Sequence, residues 1–206
     1  MNRRVDRLTE LLVNLDRNAD RTAFSENDIV FLARAGSVEI AIAQQNVLAA
    51  GLGASELWRL WCRNSDILPD QSAKLKRELP PNHILQKVLA EHDMVLCFIS
   101  DLDDINGRIQ GLTYASSTTD EIRRLAHIAR HLISSEQHRE REEEIIFPEL
   151  VKRGYSGLLG VVTEQHGKIS RRHHRLNELV YMVDSINFAD FKSRLDELVG
   201  YLIPAM

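Results

Sequence analysis

The stretch "HREREEEIIFPEL", residues 138–150, decides how this chain is read. One histidine opens a run of charges, and the run breaks into "IIFP". Such a run is ordinarily a solvated helix face, ending where proline intrudes. Its spacing offers a second reading. His138 and Glu142 are four apart, so a helix aims both to one side, about one turn from each other. Surface ion pair or metal-ligand pair: the choice rests on what other helices aim at the same point.

Two other helical patterns supply an answer. His92 sits on an apolar stripe, four after Val88 and three before Val95. A third stripe reads Val162, His166, Ile169, His173, Leu176, Val180 and Val183, in alternating steps of four and three, a heptad-like seam. A histidine on an apolar face needs a partner for its ring nitrogens. One such residue reads as a satisfied core histidine. Three helices that each present one, with a carboxylate added by Glu142, point instead to a metal. Imidazole with carboxylate suits iron, manganese or zinc, and the lack of thiolates argues against zinc-finger and iron–sulfur chemistry.

The remaining histidines carry both readings. His127, His131 and His138 share a stripe, and His131 would lie level with His173 about 10 Å from the first layer. A second metal layer is one reading; a hydrogen-bonded polar layer or solvent-facing positions is the preferred one. His174 is expected to be exposed, and His83 at a helix start to do nothing specific. Arg139, Glu140, Arg141, Glu143 and Glu144 read mostly as a solvated face. For Glu143, holding a ligand imidazole from behind is the lesser alternative. No residue stands out as catalytic or as holding an organic cofactor.

Composition bounds the rest. The chain has 206 residues, 44% apolar and 27% charged, with a formal net charge of −4. That allows one large domain, or one with a smaller companion. It gives no electrostatic case for nucleic acid or an anionic membrane. No apolar run approaches the ~18 residues of a membrane span. "MNRRVDRLTE" lacks the apolar region of a signal peptide behind its charges, so a cytoplasmic location is expected. Cys62 and Cys97 are isolated, in keeping with reduced thiols. Cys97, inside "MVLCFI", reads as buried packing. All eight histidines fall between His83 and His174, which divides the chain chemically.

Strand signals are nearly absent, and the fold class read from the pattern is all-α. Residues 1–79 read as a small domain of short helices: one carrying Val5, Leu8, Leu11, Leu12 and Leu15, one capped by Ser25, one from Ser37 to Gly51, one from Ser55, and a weaker one over 66–77. "LPPN" at 79–82 marks the boundary. Residues 80–206 read as four longer helices, about 83–106 (ended by Gly107), 119–153, 157–185, and from Asn187 onward, forming an antiparallel bundle. Trp58 and Trp61 read as core or as a docking surface.

The segments "HILQKVLAEHDMVL" (83–96), "HREREEEIIFPELVKRG" (138–154) and "TEQHGKI" (163–169) resemble the hemerythrin-like, or HHE cation-binding, family. Its HxxxEE motif with an apolar-Phe-Pro ending appears as His138, Glu142, Glu143, Phe147 and Pro148. Residues 37–65 resemble a small helical domain of unknown function that precedes such domains. Where that domain tends to end in Cys-x-x-His, this chain has Cys62 followed by Ser65. The resemblance implies a four-helix bundle around a non-haem di-iron centre. By motif, His92 is the first-helix ligand, His138 and Glu142 the second-helix pair with Glu142 as bridge, and His166 the third-helix ligand.

Family members carry oxygen, sense oxygen or iron, or protect and repair iron–sulfur centres. The resemblance thus implies a small diatomic ligand, O2 or NO. The family's fourth helix adds a histidine and an acid. Here that helix reads "FADFKSRLDELVGYLIPAM" without a histidine, as if truncated short of the ligand or lacking it. Asp190 and Asp196 fall at the wrong level. The expectation is a weakened, mononuclear or empty site. Open seam surface on that helix would favour a homo-oligomer. The alternatives are a redox protein acting on NO, peroxide or iron–sulfur centres, and a metal-free structural or signalling module.

Overall fold

The computed structural model describes residues 3–17, 24–63 and 72–205, and regular structure among them is entirely helical. In chain order the helices are α1 (Arg3–Arg17), α2 (Glu26–Ala33), α3 (Ser37–Ala49), α4 (Ala54–Arg63), α5 (Ser72–Glu78), α6 (Ile84–Gln110), α7 (Asp120–Ser134), α8 (Glu136–Arg141), α9 (Phe147–Lys152), α10 (Ser156–Tyr181) and α11 (Phe188–Ala205). A π-helical turn, Glu142–Ile146, joins α8 to α9. No helix among the described residues is long and apolar enough to cross a membrane.

The chain divides into two compact units. One holds residues 1–80 and 144–164; the other holds 81–143 and 165–206. The chain therefore leaves the second unit inside the π-helical turn and re-enters it inside α10. Residues 144–164, read from the sequence as part of the bundle, cluster with the first unit.

The first unit is built on α1. Its apolar positions Val5, Leu8, Leu12 and Leu15 recur at helical spacing and are buried with Leu32, Ile40, Ala43, Val47 and Leu60. Each cap is local chemistry. Ser25 Oγ accepts from Asp28 N, and the Asp28 side chain answers to Ser25 N, a capping box that fixes the start of α2. Gly36 N and Gly53 N donate to Glu39 and Glu56 in the same manner. The expected helix at 66–77 is seen as α5; residues 66–71 lie outside those described, as do the side chains of Trp61 and Cys62.

The second unit carries the candidate site. α6 packs against α7 and α11. Leu102, Ile105, Ile109, Leu125, Leu132, Leu176, Phe191, Leu195 and Leu202 are each at most 1% exposed. The inward stripe of α11 is apolar and covered: Phe191, Leu195, Val199 and Leu202 are all buried. Asp196 is occupied elsewhere, accepting from Asn106 Nδ2 at 3.0 Å.

Several helix boundaries differ from the sequence reading, and α10, read to 185, ends at Tyr181. α6 does not stop at Gly107 but runs to Gln110. A mid-helix glycine costs about 1 kcal/mol, and burial of Ile105 and Ile109 on either side offsets it. The long helix expected over 119–153 is three helices. Ser134 and Ser135 bond back to the carbonyls of Arg130 and Leu132. Such side chains compete with the backbone ladder, and α7 ends there. Further on, Pro148 has no N–H to give to the turn before it, and the preceding residues widen into the π-helical turn.

Candidate metal centre

Glu142 is the hub of the site. It is 9% exposed and opens the π-helical turn at the end of α8. Such turns recur at functional sites because they re-aim side chains out of helical register. Its Oε1 lies 3.1 Å from His92 Nε2 and 3.4 Å from His138 Nε2. Its Oε2 lies 3.8 Å from His166 Nε2. Three histidines from α6, α8 and α10 thus turn the same ring nitrogen toward one carboxylate. Donor atoms of His92, His138 and Glu142 fall within 4.8 Å of one another, and this is the one group of that kind among the described residues.

For His138 and His166 the other ring nitrogen is spoken for. His138 Nδ1 lies 2.7 Å from Glu91 Oε2, and His166 Nδ1 lies 2.8 Å from Glu143 Oε1. A carboxylate behind each ring holds the N–H at Nδ1, so the lone pair at Nε2 faces the centre. Metal-ligating histidines are ordinarily braced this way. Arg141 bonds the far oxygen of Glu91 at 2.7 Å. Arg139 reaches the His166 carbonyl at 2.6 Å and Glu136 at 3.0 Å. The two arginines, read from the sequence as solvated, are the outer braces of the site.

His138 Nε2 is buried and makes no hydrogen bond of good geometry. A buried polar atom without a partner costs about 1–3 kcal/mol, and a cation among the three Nε2–carboxylate donors would remove that cost. The donor set, imidazole and carboxylate without thiolate, fits iron, manganese or zinc. The residues present therefore fit a metal ion.

Electrostatics agree with a site that attracts charge. Burial pushes the Glu142 carboxyl up, but His138 and His92 outweigh it and hold its pKa down at about 2. Burial lowers the His138 imidazole, yet Glu142 and Glu91 more than compensate and raise it above its ordinary value.

Of the four residues picked from the sequence, His92, His138 and Glu142 form the donor group, and His166 lies outside it with Nε2 at 3.8 Å from Glu142. They are not equally enclosed. His92 lies on an apolar stripe in the sequence, but its side chain is 51% exposed, so one flank of the centre is open to solvent. Glu91 was missed; its signal was an acid directly before a candidate ligand on the same helix. Glu143 does brace His166.

Other readings are corrected. Cys97 is exposed, not packed in the core. His83 caps α6, its Nδ1 accepting from Leu85 N at 3.2 Å. The level of His131 and His173 is of the polar and solvent-facing kind preferred from the sequence. His131 is exposed and stacked on Phe98, with ring centres 4.5 Å apart. His173 is 1% exposed, and neither ring nitrogen makes a hydrogen bond of good geometry. The layer beyond the centre is polar: Glu136 accepts from Ser170 Oγ and pairs with Arg139 and with His174.

Residues 83–203 match the hemerythrin HHE cation-binding domain. The chain belongs to that family. No curated protein and no solved structure matches the chain significantly.

Proposed function

We propose that this protein holds one non-haem iron at His92, His138 and Glu142, with His166 as a further donor, and uses it to sense or handle oxygen, NO or iron. The observation that carries this reading is the shared orientation of His138 and His166. Each has Nδ1 fixed by a carboxylate and Nε2 turned to Glu142. When bound, iron supplies a redox couple and an open coordination position for a small diatomic ligand.

The chain's residues set the conditions for that chemistry. Glu91 and Glu143 fix the ring orientation of His138 and His166, which keeps the donors pre-aimed. The half-exposed His92 leaves solvent access on one flank. Among the described residues, Glu142 is the one carboxylate in the donor group. The site therefore favours one ion over two.

Metal analysis of the purified protein tests this. About one iron per chain is expected, with loss of iron and retained helicity in His138→Ala/Glu142→Ala. Iron content unchanged by that pair of substitutions overturns the assignment. Turnover of NO or peroxide in proportion to bound iron would favour a redox enzyme over a sensor.

A further inference from the structure

His127 and His131 lie one turn apart on the outer face of α7, and both are exposed. Their rings meet edge to face, with centres 4.3 Å apart at 72°. Phe98 of α6 stacks flat on His131, at 10°, and holds its ring in place. Neither imidazole is engaged in a hydrogen bond or ion pair among the described residues. Two imidazoles on neighbouring positions of one cation, each bonded at about 2.0 Å, have ring centres roughly 4.5–5 Å apart. The pair thus stands close to chelating distance, with one member braced and its nitrogens unspent.

His131 also lines a cavity of about 140 Å³. Met94 and Phe98 contribute apolar lining, and Glu91, His138 and Arg141 line the same cavity. One member of the histidine pair, His131, thus shares a cavity with residues of the inner centre.

We propose that His127 and His131 form a surface site for a borderline divalent cation, of the zinc, copper or iron(II) kind, that captures metal for the inner centre. Imidazole pairs suit these ions and not magnesium or calcium. Capture at His131 raises the local cation concentration beside the cavity that it lines. The delivery role rests on the inner centre being a metal site; binding at the pair itself does not.

The test uses metal-free full-length protein titrated with Zn(II) by calorimetry. His127→Ala/His131→Ala should bind about one Zn(II) fewer per chain than the wild type. In the His138→Ala/Glu142→Ala background, one Zn(II) should persist and should vanish when the surface pair is also removed. If that background does not fold, the wild-type comparison decides alone, since both surface histidines are exposed. The second readout is the rate at which limiting Co(II) becomes resistant to chelator. Removing the pair should slow it about threefold or more, with the final inner content unchanged. An unchanged Zn(II) stoichiometry overturns the site, and an unchanged loading rate overturns the capture role. A protein whose inner centre takes no metal would fail the second readout for every variant, while the Zn(II) difference would persist.

Discussion

Glu91 Oε2 lies 2.7 Å from His138 Nδ1, while Oε1 of the same carboxylate lies 2.7 Å from Arg141. Neighbouring residues of α6 thus divide the work: His92 faces the centre and Glu91 holds the ring of His138 from behind. Burial pushes the Glu91 carboxyl up, but Arg141 and His138 pull it below its ordinary value, so it stays an anionic acceptor at neutral pH. Loss of such a brace costs about 10–100-fold in metal affinity. Glu91→Ala should weaken metal binding by that factor in a chelator-competition titration while leaving helicity intact, and Glu91→Gln should weaken it less. Equal losses for the two would show that the charge, not the hydrogen bond, is what matters.

His166 stands further from Glu142 than His92 or His138 does, at 3.8 Å. His166→Ala should therefore retain metal at reduced affinity, where His138→Ala loses it. The same titration compares them, and an equal or larger effect at His166 would move the centre of the site toward α10.

His173 is enclosed, and its neutral form is favoured. Burial, then the charge of Arg139, lowers its pKa to about 4, against the opposing pull of Glu136 and the Leu132 backbone. The unfolded chain binds this proton near pH 6.5, and the folded chain only near 4. As pH falls through that window the unfolded state binds more protons, so stability falls, by roughly 3 kcal/mol once pH is below 4. Urea denaturation from pH 7 to 4 should show this loss, and His173→Leu should show less of it. An identical pH slope in the variant would place the acid sensitivity elsewhere.

Glu136 ties α8 to α10 through Ser170 and His174, and it neutralises the largely buried Arg139. Burial alone would raise its pKa, yet these partners, Ser170 first, hold it low. Glu136→Ala leaves Arg139 without its carboxylate, and about 1–3 kcal/mol of stability should be lost in urea denaturation. A loss below about 0.5 kcal/mol would mean that solvent serves Arg139 as well.

Much of this was legible in the residues. The 3–4 spacing of apolar positions set the helices, because burial of one face is what pays for them. The pairing of His138 with Glu142 followed from helical geometry alone, and His92 and His166 joined them through their own stripes. What was not legible depended on neighbours distant in sequence. Cys97 sits in an apolar run, but which side of α6 faces α7 and α11 is fixed only by packing. Glu91 looked like any helix-surface acid until His138 arrived across 47 positions. The break at Ser135 and the π-helical turn before Pro148 arise from local backbone competition that periodicity does not register.

The most direct measurement is iron per chain, by elemental analysis beside the visible spectrum of the same sample. About one iron per chain, without the bands of an oxo-bridged pair, is expected from three histidines around a single carboxylate. Two irons per chain with those bands would contradict the mononuclear centre.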